Sequence, residues 1–100
     1  MELRTLRYFV VVAQELNITR AAERLNMSQP PLSNQIKALE EELGAQLLIR
    51  GKRYLQLTEA GTLLYRRAVQ MLDIAEKTRQ EISDLQSEMS GLLSIGCVEG

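Results

Sequence analysis

The sequence predicts a mostly α-helical fold: three short helices and a β-hairpin, followed by one long helix. Three observations predict it. Apolar residues recur at three- and four-residue spacing through residues 3–16 and again from Leu32 to Leu43. Two short apolar segments flank Arg50-Gly51-Lys52-Arg53. From Leu64 onward, apolar and small residues repeat every seven positions.

The first helix covers residues 3–16. Leu6, Phe9, Val10, Ala13 and Leu16 form its stripe, while Arg4, Arg7, Gln14 and Glu15 fall elsewhere. Val10, Val11 and Val12 are β-branched and suit a strand as well. Over the whole window the period is nearer 3.6 than 2, which favours the helix.

Two helices joined by a tight turn follow between Ile18 and Leu43. The residues from Asn17 to Thr19 end the first helix, and Thr19 is expected to cap the next. Ala21 and Ala22 are small enough for another helix to cross closely, and Ala22 and Leu25 share a face. Ser28 is the expected N-cap of the third helix, with Pro30 and Pro31 in its first turn, where a missing N–H costs little. Leu32, Ile36, Leu39 and Leu43 form one apolar stripe, and Gln29, Ser33, Asn34 and Lys37 lie opposite. Amide, hydroxyl and ammonium groups of this kind can pair with base edges in a DNA major groove.

Gly44 is the helix stop. Leu47–Ile49 and Tyr54–Leu57 are expected to pair as a hairpin, with Gly51 in a positive-φ turn position. Arg50, Lys52 and Arg53 sit at its tip, where cations can reach phosphates or the minor groove. Helix, helix-turn-helix and hairpin together make a winged helix-turn-helix over residues 1–58, with the helix-turn-helix itself at about 18–37.

Thr58 caps the long helix and Glu59 suits its first turn. Leu64, Met71, Thr78 and Leu85 are seven apart, with Ala68, Ala75, Ile82 and Met89 between them. At ~1.5 Å per residue, residues 59–90 span about 50 Å, more than a domain of this size can cover. A second copy of the chain is therefore expected on the seam formed by Leu64, Ala68, Met71, Ala75, Ile82 and Leu85. In residues 91–100, Leu92, Leu93, Ile95, Cys97 and Val98 resemble a buried strand that opens a further, truncated domain.

Composition narrows the function. The chain has no His and one Cys, so a zinc site and the commonest general base are missing, and no phosphate-cradling glycine loop occurs. No catalysis, metal or cofactor is expected. No apolar run reaches ~18 residues and the start, MELRTLRYF, lacks a signal-peptide core, so a cytoplasmic protein without a membrane partner is expected. Net charge is −1, but residues 1–57 hold eight Lys/Arg against six Asp/Glu, and residues 58–100 hold four against seven. The basic excess lies in the part that would meet DNA, and phosphate binding depends on local contacts. The alternative is a coiled-coil protein-interaction module that binds no DNA.

The segments LRTLRYFVVVAQELNITRAAERLNMSQPPLSNQIKALEEELGAQLLIR and LTEAG complete a pattern. With AAERL, SQPPLS and the I-x-x-L-E-x-x-L-G ending at this spacing, the chain resembles the N-terminal part of a LysR-type transcriptional regulator. The resemblance covers nearly the whole chain. It implies a bacterial regulator that binds double-stranded DNA as a dimer or tetramer at T-N11-A dyads. It also implies a small-molecule effector held only by a two-lobed C-terminal domain, of which residues 91–100 would be the start. By matching position, Gln29, Pro30, Ser33 and Asn34 would face bases, Ser28 and Lys37 would support them, and Arg50 and Arg53 would serve the wing. The chain departs from the pattern at Asn34, where Arg is frequent, which would replace a guanine or phosphate contact with adenine pairing. It also departs at Ile49, where an acidic residue is frequent.

Overall fold

The computed structural model describes residues 1–93, with side chains described through residue 88. Within them the order is α1 (Leu3–Glu15), α2 (Ile18–Arg24), α3 (Gln29–Leu43), β1 (Leu48–Arg50), β2 (Leu55–Leu57) and α4 (Glu59–Leu93).

Helix α1 is the centre of the core and packs against α2, α3 and α4. Three partners bury more than one stripe: Thr5, Val11 and Val12 are buried beside Leu6, Phe9 and Ala13, whereas Val10 is only half-buried. Fully burying a Leu, Ile, Val or Phe contributes about 1.5–3 kcal/mol each. Thr5 is the buried polar exception, and its Oγ1 donates to Gln35 Oε1 at 3.2 Å.

The cap of α2 is Asn17 and not Thr19: Asn17 Oδ1 accepts from the Arg20 backbone N–H at 2.9 Å. Asn outranks Thr as a cap, and Thr19 lies inside the helix. Ala21 and Ala22 are buried, as their size suggests. The turn into α3 passes through Asn26 at φ 54, a region that Asn tolerates better than most residues. There Asn26 N–H donates to the Glu23 carbonyl and Met27 N–H to that of Ala22, which closes the end of α2.

Leu32, Ile36 and Leu39 form the underside of α3, and Gly44 ends it at φ 65. Leu43 leaves the expected stripe. It is 41% exposed, because the last turn of α3 runs past the core.

The hairpin is antiparallel, pairing Leu48 with Leu57, Ile49 with Gln56 and Arg50 with Leu55. Residues 51–54 form its loop, a four-residue connection that does not need the tight-turn geometry expected at Gly51. Gly44 alone has a positive φ among the described glycines. Gly51 is needed for room instead: a Cβ there would sit 2.7 Å from the Tyr54 carbonyl oxygen, which the Gly51 N–H itself approaches at 3.1 Å. The hairpin is tied to the helices by Leu55 N–H, which donates to the Leu16 carbonyl at 3.0 Å.

Thr58 caps α4 as expected, its Oγ1 accepting from Gly61 N–H at 2.9 Å and donating to the Gln46 carbonyl at 2.6 Å. The first turns of α4 lie on α1, and here the expected seam is corrected. Leu64 and Ala68 are buried in the chain's own core, so neither faces a partner. Residues 76–88 are all exposed. Helix α4 continues through Gly91, Leu92 and Leu93, so these residues extend the helix and do not open a strand. Ile95, Cys97 and Val98 of the expected strand lie outside the described residues. No helix of the described residues is long and apolar enough to cross a membrane.

Candidate nucleic-acid interface

A polar surface is built at the start of α3 by the burial of its underside. Leu32 and Ile36 are fully buried against the helices beneath, which forces the opposite side chains outward. Gln29, Pro30, Asn34 and Lys37 are exposed, and Ser33 is half-buried.

The two prolines shape the helix start chemically. A capping hydroxyl accepts from the N–H of the second or third helical residue. In α3 those positions are Pro30 and Pro31, which have no N–H. Ser28 accordingly takes the N-cap backbone conformation, φ −81 and ψ 164, but makes no side-chain cap bond. The residue is exposed.

Gln29 is held from the side. Its Nε2 donates to Thr19 Oγ1 at 3.0 Å, which links α3 to α2. Thr19 also lines a cleft of about 180 Å³ together with Lys52, Arg53 and Tyr54 of the hairpin loop. The wing tip and the start of α3 thus adjoin the same edge of the molecule. Farther along, Lys37 and Arg50 line one groove between α3 and β1, together with Glu40 and Glu41.

Four of the chain's cations pair with carboxylates, whereas among the described residues Arg7, Arg20, Arg66 and Arg67 do not. Arg24 pairs with Glu15 at 3.1 Å, Lys77 with Asp73 at 3.2 Å, and Arg4 and Arg79 have looser carboxylate partners at 3.7 Å. Among the described residues, no carboxylate lies in ion-pair range of Lys37, Arg50, Lys52 or Arg53, and all four are exposed. Among the described residues no group of three or more His, Cys, Asp or Glu side chains comes together to hold a metal.

Two residues at this edge escape a reading of the sequence. Thr19 looks like a cap until Asn17 takes that role. Tyr54 looks like a strand residue, yet it is 58% exposed beside Arg53. The preference of caps for Asn over Thr is the local signal that could have freed Thr19.

Among the described side chains of α4, the large apolar ones that are exposed are Leu63, Val69, Ile74, Ile82 and Leu85, with Met71 and Ala75 half-buried. Leu63, Ile74 and Leu85 are eleven residues apart. Eleven residues are close to three turns, so the three side chains share one side of the helix.

Residues 3–62 match the family described as "Bacterial regulatory helix-turn-helix protein, lysR family". The "Probable cat1 operon transcriptional activator" of Acinetobacter lwoffii is 50% identical over 98 residues, covering 98% of this chain and 32% of that protein. The "HTH-type transcriptional regulator BudR" of Klebsiella aerogenes is 49% identical over 96 residues, covering 96% of this chain and 67% of that protein. The chain therefore spans about a third of the length of the first relative and two thirds of the second. Among solved structures, the BenM_DBD/catB site 1 DNA complex is similar with a TM-score of 0.84 and 46% identity, over 87% of this chain and 98% of that one.

Proposed function

Because the chain belongs to the lysR family of bacterial regulatory helix-turn-helix proteins, we propose that it is the DNA-reading part of a sequence-specific transcriptional regulator. The observation that carries this reading is the polar start of α3, held outward by a fully buried underside and flanked by exposed cations that have no carboxylate partner among the described residues. Helix α3 enters the major groove. Gln29, Pro30, Ser33 and Asn34 meet bases there, and Ser28 and Lys37 support them. The wing cations Arg50, Lys52 and Arg53 take phosphates or the minor groove. The domain comprises residues 1–58 and the linker helix begins at residue 59.

Two copies pair through the exposed apolar side of α4. Ile82 and Leu85 stay in this seam, Met71 and Ala75 border it, and Leu63 and Ile74 join it. Pairing sets the reading helices in successive major grooves, with half-sites about 34 Å apart or one turn more. In the full-length protein a small-molecule effector bound outside residues 1–93 shifts the spacing of the two heads, and tetramers form from dimers. A bacterial protein that reads DNA in this way acts in the cytoplasm. The relatives are regulators, so neither catalysis nor a DNA-independent interaction module is favoured.

Titration of a labelled random-sequence duplex at low and moderate salt tests the reading. Binding that falls linearly in log K against log salt is expected. No salt-dependent binding would overturn it.

A further inference from the structure

We propose that Thr19 is a positioning residue for base reading: its hydroxyl holds the Gln29 amide in the pose that recognises one base. The inference rests on the proposed role of Gln29 as a base contact. It starts from one bond between the two helices of the motif, Gln29 Nε2 donating to Thr19 Oγ1 at 3.0 Å. Among the described residues neither side chain has another hydrogen-bond partner. Thr19 is available because Asn17 has taken the capping role on α2.

The Thr19 end of this bond has few conformations open to it. Thr19 is β-branched, which restricts its χ1 in a helix. The small buried Ala21 and Ala22 let α2 lie close to its neighbours, so the distance between the two side chains is set by the core. A free glutamine must order three torsions when it binds, whereas one tethered beforehand has lost that freedom already. With one N–H given to Thr19, Gln29 keeps one N–H and its carbonyl oxygen. That adjacent donor and acceptor fit N7 and N6–H of adenine in the major groove. The base assigned to Gln29 is accordingly adenine.

The test is site selection from a random-sequence duplex library by the wild-type chain and by Gln29→Ala, Thr19→Val and Thr19→Ser. Gln29→Ala is expected to erase an adenine preference at one position of each half-site. Thr19→Val keeps the shape and loses the hydroxyl. It should weaken the same preference about fivefold to tenfold, with the melting temperature and the slope of log K against log salt unchanged. Thr19→Ser should restore the preference. The double variant Thr19→Val with Gln29→Ala should lose no more at that position than Gln29→Ala alone, a comparison that holds even where Thr19→Val also lowers stability. If Thr19→Val weakens all duplexes alike, Thr19 is a phosphate contact and the inference fails. If Gln29→Ala erases a preference that Thr19→Val leaves intact, Gln29 remains a base contact and Thr19 has no part in it. If Gln29→Ala changes no position, both ideas fall, and an additive double variant likewise removes the coupling.

Discussion

Glu40 and Leu47 are joined by a hydrogen bond of 2.8 Å, in which the Leu47 backbone N–H donates to Glu40 Oε2. The same oxygen accepts from the Leu48 N–H at 3.2 Å. One carboxylate on α3 thus satisfies both backbone donors where the chain enters the hairpin, and it couples the wing to the helix proposed to read DNA. Glu40→Ala orphans two part-buried N–H groups, and each costs about 1–3 kcal/mol. The melting temperature should fall by several degrees, and Glu40→Gln, which keeps an acceptor oxygen, should fall less. Equal melting temperatures for Glu40→Ala and the wild type would show that the bond does not hold the wing.

Gly61→Ala is expected to destabilise, against the usual trend for a helical glycine. In a helix interior replacing glycine by alanine gains up to about 1 kcal/mol, and less in the first turn, where Gly61 lies. At Gly61 a Cβ would collide with the backbone carbonyl oxygen of Leu47, which cannot rotate away as a side chain would. Overpacking costs of about 1–3 kcal/mol should outweigh the helix gain. Chemical denaturation reads the sign directly, and a more stable Gly61→Ala variant would contradict the close approach of α4 to the hairpin.

The wing and the reading helix should separate in salt titrations. Arg53→Ala removes one exposed cation, so it should weaken binding to every duplex and lower the slope of log K against log salt by about 1. Asn34→Ala should leave that slope alone and cost about 1–3 kcal/mol of discrimination at one base position. An Arg53→Ala variant with altered base preference and an intact salt slope would remove the wing from its proposed role.

Helix α4 has one side buried in the core and another proposed to meet a second copy, and substitutions should tell them apart. Ile74 is 62% exposed, so Ile74→Glu should halve the mass seen by sedimentation while the reading domain stays folded. Leu64 is 9% exposed within the chain's own core, and Leu64→Ala should cost about 2–5 kcal/mol of domain stability. If Ile74→Glu leaves the dimer mass unchanged, the partner does not cover the Leu63–Ile74–Leu85 side.

The residues by themselves determined whatever depends on near neighbours. The stop at Gly44, the cap at Thr58 and the underside formed by Leu32, Ile36 and Leu39 are all local, and each follows from spacing or backbone chemistry within a few positions. The outward placement of Gln29, Asn34 and Lys37 follows from that underside. Tertiary structure alone decided which apolar positions of α4 are spent inside the chain. A seven-residue repeat marks one side of a helix but not what covers it, and α1 covers Leu64 and Ala68 before any second copy can. It also decided the partners of Glu40, Thr19 and Gly61, which are ten residues away for Thr19 and Gln29 and fourteen for Gly61 and Leu47. Such contacts arise only when separate elements are brought together by the core, and no periodicity along the chain encodes them.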